Sequence, residues 1–277
     1  MSSKGIAIVT GAAQGIGKGI ALRLASDGFD IAVNDIPANA DKLSNLVEEI
    51  KAKGREASAH VADVSVEEQV KDMVEEVVKI YGGFDVMVAN AGVIKYASIE
   101  HTTVDDWDRV MAINARGTFL CFKYAGMQMI SQGRGGRIIG ACSVGGKKGR
   151  FSINPKFYEL NGYSGSRWPD DECILRIKVC YPWPDTVGCE YGGHGITVNS
   201  YAPGTTDTEM VTYLDKSHAE LTGSAPGTFK KQLEKTMPLP MIATPDDIAA
   251  LVSFIASKES QFITGQSISI NGGMYFD

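Results

Sequence analysis

Three glycines and one aspartate near the N-terminus carry the most legible chemistry in this 277-residue chain. The apolar run Ile6–Val9 leads into Thr10-Gly11-Ala12-Ala13-Gln14-Gly15-Ile16-Gly17, and a helical pattern follows through Ile20, Leu22 and Leu24. A strand that turns through glycines into a helix brings free backbone N–H groups and the positive end of the helix dipole to one point, which suits a pyrophosphate. Such a turn alone is weak evidence. Asp35, just beyond the next apolar run, Ile31–Val33, supplies the second part. A carboxylate there accepts hydrogen bonds from the ribose hydroxyls of NAD and repels the 2′-phosphate of NADP. No arginine follows Asp35 to neutralise it. The expected cofactor is therefore NAD, held at Gly11, Gln14, Gly15, Ile16, Gly17 and Asp35.

Positioning these residues requires an alternating series of strands and helices. Apolar strand-like runs occur at Ile6–Val9, Ile31–Val33, Val86–Ala89, Arg137–Ala141, Ile196–Asn199 and Ser267–Ile270. Helical patterns separate most of them, as in Gln69–Ile80, where Val70, Val74, Val77 and Val78 share a face. Ser65 with Glu68 reads as a capping box before that helix, and Thr244-Pro245 as the start of another. Strands apolar throughout, alternating with helices, predict an α/β fold: a doubly wound parallel sheet of Rossmann type, in one domain over residues 1–277. A net charge of −6 without a basic stripe argues against nucleic acid. No apolar run approaches membrane-spanning length, and the first strand begins without a signal-peptide core. The five cysteines, odd in number and without C-x-x-C spacing, favour a reducing, cytoplasmic location.

The order of these motifs resembles the short-chain dehydrogenase/reductase family. The resemblance rests on Thr10–Gly17, Asp63-Val64, Asn90-Ala91-Gly92, Asn114 within Ile113–Gly117, Ser143 after the Arg137–Ala141 run, and Pro203-Gly204 followed by Thr208. It covers residues 4–149 and 192–277. Gly83-Phe84-Asp85, Ala141-Cys142-Ser143, Gly195–Asn199 and the tail Thr264 to Met274 look most like the diacetyl/acetoin reductases, or 2,3-butanediol dehydrogenases. Polyol and sugar dehydrogenases and 3-oxoacyl reductases share most of the same motifs. The resemblance implies that Asp63 and Val64 flank the adenine, that Asn90, Ala91 and Gly92 line the cofactor cleft beside Pro203 and Gly204, and that Thr208 holds the nicotinamide carboxamide. It also implies hydride transfer to or from a small carbonyl or alcohol substrate in a homo-oligomer. In such enzymes a Tyr hydroxyl moves the proton, a Lys four residues later lowers the Tyr pKa, a Ser fixes the substrate oxygen and an Asn anchors a relay water. Ser143 and Asn114 match the last two.

The Tyr-x-x-x-Lys pair is missing. Its place falls in Arg150–Tyr191, where the periodicity fails and Trp168, Trp183, Cys173, Cys180 and Cys189 cluster. The nearest imitation is Tyr163-Ser164-Gly165-Ser166-Arg167, further past Ser143 than the family spacing, with a planar guanidinium where a compact ammonium is needed. Tyr163 is thus the sole candidate proton donor, and a poor one. The irregular spacing of Cys173, Cys180, Cys189 and His194 argues against a metal site.

A shifted reading frame accounts for the segment. Codons encoding Cys173–Cys189 can be chosen so that, read one base later, they give Ala-Tyr-Ser-Ala-Ser-Lys-Phe-Ala-Ile-Arg-Gly-Leu-Thr-Gln-Ser-Ala, which restores the missing pair before Gly195. Arg150 to about Ser164 then reads as translated intron. With Pro182 and Pro184 close together, residues 150–191 are expected to be irregular, without a long helix beside Arg116–Ile130. The expected function is an NAD-dependent oxidoreductase for a small hydroxyketone, diketone or diol, impaired in the present chain. A non-catalytic dinucleotide-binding protein is the alternative.

Overall fold

The structure, a computed structural model, describes residues 2–97, 99–148, 174–175 and 183–276. The strands are β1 (Ile6–Thr10), β2 (Asp30–Asp35), β3 (Ala57–Val61), β4 (Val86–Ala89), β5 (Lys95–Tyr96), β6 (Gly136–Ala141), β7 (Ile174–Leu175), β8 (Ile196–Pro203) and β9 (Ser267–Ile270). Seven of them form one sheet in the order β3-β2-β1-β4-β6-β8-β9, and every neighbouring pair is parallel. β5 and β7 pair separately and antiparallel, Lys95 opposite Leu175 and Tyr96 opposite Ile174.

Side chains alternate across β1 because the strand period is two, and both faces are covered. Ala7 and Val9 join one buried cluster, with α1 (Gly15–Asp27), α2 (Ala40–Ala52) and α10 (Pro245–Ala256). Ile8 faces the opposite cluster, with α3 (Glu67–Tyr81) and α5 (Thr118–Gln132). The remaining helices are α4 (Val104–Met111), α6 (Val144–Lys148), α7 (Trp183–Gly192), α8 (Glu209–Thr222) and α9 (Thr228–Thr236). A π-helical turn, Ala112–Gly117, joins α4 to α5. The expected doubly wound parallel sheet is the observed fold. Among the described residues no helix is long and apolar enough to cross a membrane.

The structure departs from the sequence expectations in three places. β3 carries no strong apolar signal because it is a half-exposed edge strand, in which only His60 is buried. The capping box at Ser65 does not form. Helix α3 starts one residue after the uncapped Val66, and Ser65 instead donates through both its N–H and hydroxyl to Asp63 Oδ1, at 2.8 and 2.7 Å. The carboxylate two residues back outcompetes the helix end for the serine.

The third departure lies within 150–191. Residues 174–175 pair as β7, and α7 packs against β8 and α5, with Val187 and Tyr191 against the buried cluster beneath them. The expectation of an irregular segment is corrected there. Pro184 does not break α7 because it occupies the first turn, where the missing N–H has no acceptor to lose. Tyr163, Pro182 and the rest of residues 149–173 and 176–182 lie outside the described residues.

The expected helix start at Thr244-Pro245 is present as a full capping box. Thr244 Oγ1 accepts from the N–H of Asp247, and the Asp247 carboxylate accepts from the N–H and hydroxyl of Thr244. Because α10 packs along α1, its end supports the glycine turn. Thr244→Ala is expected to lower stability by about 1 kcal/mol, whereas Ser65→Ala, which removes no cap, should cost α3 less. Urea denaturation of both variants measures the difference.

Candidate active site

A cleft of about 610 Å³ opens at the C-terminal ends of the strands, where β1 and β4 diverge to connections on opposite faces of the sheet. This is the crevice in which doubly wound sheets bind ligands. Its floor is the β1–α1 turn. Gly11 and Gly15 have φ of +62° and +55°, left-handed values that side-chain-bearing residues rarely adopt. A Cβ on Gly17 would run into the Gly11 carbonyl and stand 2.5 Å from Asn90 Nδ2. The start of α1 has no side-chain cap and no acidic residue in its first turn. Its N–H groups and dipole are thus left to an anion, and the bare glycine backbone leaves room for one.

Buried hydrogen bonds tie this turn to the neighbouring strand. Thr10 Oγ1 accepts from the N–H groups of Asn90 and Ala91, at 3.0 and 3.1 Å. Asn90 Nδ2 donates to the carbonyls of Thr10 and Gly11, at 2.8 and 3.2 Å. Asp35 closes the outer end of the cleft. One of its oxygens accepts from the N–H of Ala13, and the other from Ile36 N–H and Asn39 Nδ2.

Gln14, Ile16, Asp63, Val64, Ala91, Gly92, Pro203, Gly204 and Thr208 line the same cleft as Gly11, Gly15, Gly17, Asp35 and Asn90. Asp63 and Val64 stand beside the Asp35 end of the floor, on the loop after β3, and Thr208 precedes the first turn of α8. Ser143 also lines it, held just beyond β6 by a hydrogen bond from Gly145 N–H to its hydroxyl. Asn114 occupies a different position. Its amide is bonded at both ends to Val93, accepting from the N–H and donating to the carbonyl at 2.8 Å each, and it braces the wall behind its neighbour Ile113. Tyr163 lies outside the described residues. Among the described residues that line the cleft there is neither a tyrosine nor a lysine.

The inner wall was not legible as a site. Leu214 of α8 and Phe229 and Leu233 of α9 face the cleft near Ile94. At helical spacing these residues read as ordinary core, and they do form a small cluster with Tyr96. Thr10 was visible only as the first letter of the glycine motif, since a buried hydroxyl hub has no sequence signature of its own.

Fold and cleft together define a nicotinamide-dinucleotide-binding oxidoreductase of the doubly wound class. The chain belongs to the short-chain dehydrogenase/reductase family: the family model for short chain dehydrogenase matches residues 5–156, and that for enoyl-(acyl carrier protein) reductase matches residues 185–275. The interval between the two matches falls inside the anomalous segment. A short-chain dehydrogenase/reductase of Armillaria gallica is 46% identical over 98% of this chain and 96% of its own. A 3-oxoacyl-[acyl-carrier-protein] reductase of Staphylococcus epidermidis is 37% identical over 97% of this chain and 98% of its own. An (S)-acetoin-forming diacetyl reductase of the same species is 37% identical over 98% of each chain. Among solved structures, a short-chain dehydrogenase/reductase of Mycobacterium marinum superposes with a TM-score of 0.82, at 28% identity over 99% of this chain and 97% of that one. A Burkholderia cenocepacia short chain dehydrogenase in complex with NADP superposes with a TM-score of 0.77, at 29% identity over 97% and 96%.

The packing at Gly17 yields a prediction. Gly17→Ala should force the turn apart at an overpacking cost of about 1–3 kcal/mol. Calorimetric titration with NADH should then show binding weakened by roughly tenfold or more.

Proposed function

We propose that the chain is, over residues 1–277, one NAD-preferring reductase or dehydrogenase domain for a small neutral hydroxyketone, diketone or diol, impaired because its proton donor is missing. One observation carries the cofactor preference: the Asp35 carboxylate stands at the outer end of the glycine floor, held by Ala13 N–H, with no arginine following it. A carboxylate offers about four acceptor positions. Asp35 uses three on the protein and keeps one for a ribose hydroxyl, while its charge opposes a 2′-phosphate. The NADP of the Burkholderia structure belongs to that protein, which shares 29% of its residues with this chain.

The apolar inner wall of Ile94, Leu214, Phe229 and Leu233 supports a small carbonyl compound without a charged group. A 3-oxoacyl thioester is the second reading, supported by a relative as similar as the diacetyl reductase. In either case Ser143 orients the substrate oxygen, Asn114 holds the wall, and a bound dinucleotide supplies or takes the hydride. The remaining role, moving the proton, needs a group that titrates near neutrality, and a serine hydroxyl does not. The chain contains no Tyr-x-x-x-Lys sequence, and Tyr163 beside Arg167 is a weak substitute. Loss of a positioned general acid costs about 10²–10⁴-fold in rate. The exposed Trp107, Phe119 and Met127 on α4 and α5 support a homo-oligomer.

Two experiments test this reading. Dinucleotide titration should show NADH bound more tightly than NADPH, and Asp35→Ala should narrow the difference; equal affinities in the parent would overturn the preference. Turnover of diacetyl, acetoin and a 3-oxoacyl thioester, followed by NADH absorbance, should be near zero for the present chain. It should return when residues 150–191 are replaced by the Tyr-Ser-Ala-Ser-Lys helix of the shifted frame, on diacetyl or acetoin before the thioester. Comparable turnover by the present chain, abolished by Tyr163→Phe, would refute the assignment of impairment.

A further inference from the structure

We propose that Tyr201 is a positioning residue of the cofactor cleft: its phenol hydroxyl, donated to Asn90 Oδ1, orients the amide that closes the glycine turn and thereby sets dinucleotide affinity. This rests on the reading of the cleft as a dinucleotide site. Tyr201 lies in the middle of the sheet on β8, fully buried in the cluster that contains Val9, Ala12 and Ile139. Packing alone would be served by a phenylalanine, and a buried phenol is tolerated only when its O–H finds an acceptor. It finds Asn90 Oδ1 at 2.8 Å.

The consequence follows from the geometry of the amide. An asparagine side chain can turn over, exchanging oxygen for nitrogen. Here the nitrogen end faces the carbonyls of Thr10 and Gly11, and the oxygen end faces the Tyr201 hydroxyl. The reverse orientation would aim an oxygen at two carbonyl oxygens. The hydroxyl therefore reinforces the one orientation that pulls the ends of β1 and β4 together beneath the turn. Gly17 packs against the same amide nitrogen, so a shift of Asn90 is transmitted directly to the first turn of α1. Burial also pushes the Tyr201 phenol well above its ordinary pKa, so it remains an O–H donor at any working pH.

The backbone of Tyr201 reaches the other half of the cleft. Tyr201 pairs with Ala141 across the sheet, and its carbonyl accepts from the N–H of Cys142 at 2.8 Å, one residue before Ser143. One residue thus fixes both the floor under the cofactor and the strand end that carries the substrate-orienting serine.

The test compares full-length Tyr201→Phe with Val252→Ala, a buried change in α10 that does not touch Asn90. Each is measured for NADH binding by calorimetry and for its thermal midpoint without dinucleotide. Tyr201→Phe should weaken NADH binding about fivefold to tenfold, the usual effect of one lost hydrogen bond, with a small change in midpoint. Val252→Ala should lower the midpoint with affinity unchanged. NADH bound by Tyr201→Phe as tightly as by the parent, or affinity losses in both variants that merely follow their midpoints, would overturn the proposal. If the parent itself binds no dinucleotide, the reading of the cleft fails and the role of Tyr201 falls with it.

Discussion

The buried junction between the ends of β1 and β4 is the constraint on which the site depends. Parallel strands whose connections leave on opposite faces must separate beyond the last shared hydrogen bond, and their exposed backbone groups then need other partners. Thr10 and Asn90 supply them from side chains, each satisfying main-chain groups of the other strand. Leaving one such group buried and unpaired costs about 1–3 kcal/mol, so the gap has a fixed width. The glycine turn, the start of α1 and the loop after β4 all take their positions from it.

That junction divides the molecule into a half fixed by the sheet and a half fixed by its connections. Residues facing the dinucleotide stand at strand ends or in the first turns of helices, where backbone hydrogen bonds and two buried clusters locate them. The residues that would face a reacting carbonyl come from the connections after β4, β6 and β8. Ser143 stays within reach because it immediately follows β6. The connection between β6 and β8, by contrast, contains the interval 157–184 that neither family model matches.

What the sequence made legible follows the same division. Runs apolar on both faces, such as Ile6–Val9 and Val86–Ala89, announced parallel strands because only a doubly covered strand needs no polar side. Gly11, Gly15, Gly17 and Asp35 announced the cleft because left-handed turns and close approach leave little choice of residue. β3 stayed hidden because an edge strand keeps one polar face. Ser65 misled because local competition between Asp63 and a helix end is decided by fractions of an ångström. Pro184 misled because the cost of proline depends on its position within a turn, which composition does not give. The link from Tyr201 to Asn90 spans 111 residues of chain, and nothing in the pattern around either residue records it.

The crossover from β6 to β8 has a consequence of another kind, in the statistics of chain closure. The entropy lost in closing a flexible loop grows only with the logarithm of its length, about 0.6 kcal/mol for each doubling. β8 finds its register between β6 and β9 through eight buried residues, Ile196–Pro203, and α7 at the end of the crossover packs against it. The sheet therefore tolerates change in the length of this crossover. Such tolerance lets a connection change its length while β8 keeps its place between β6 and β9.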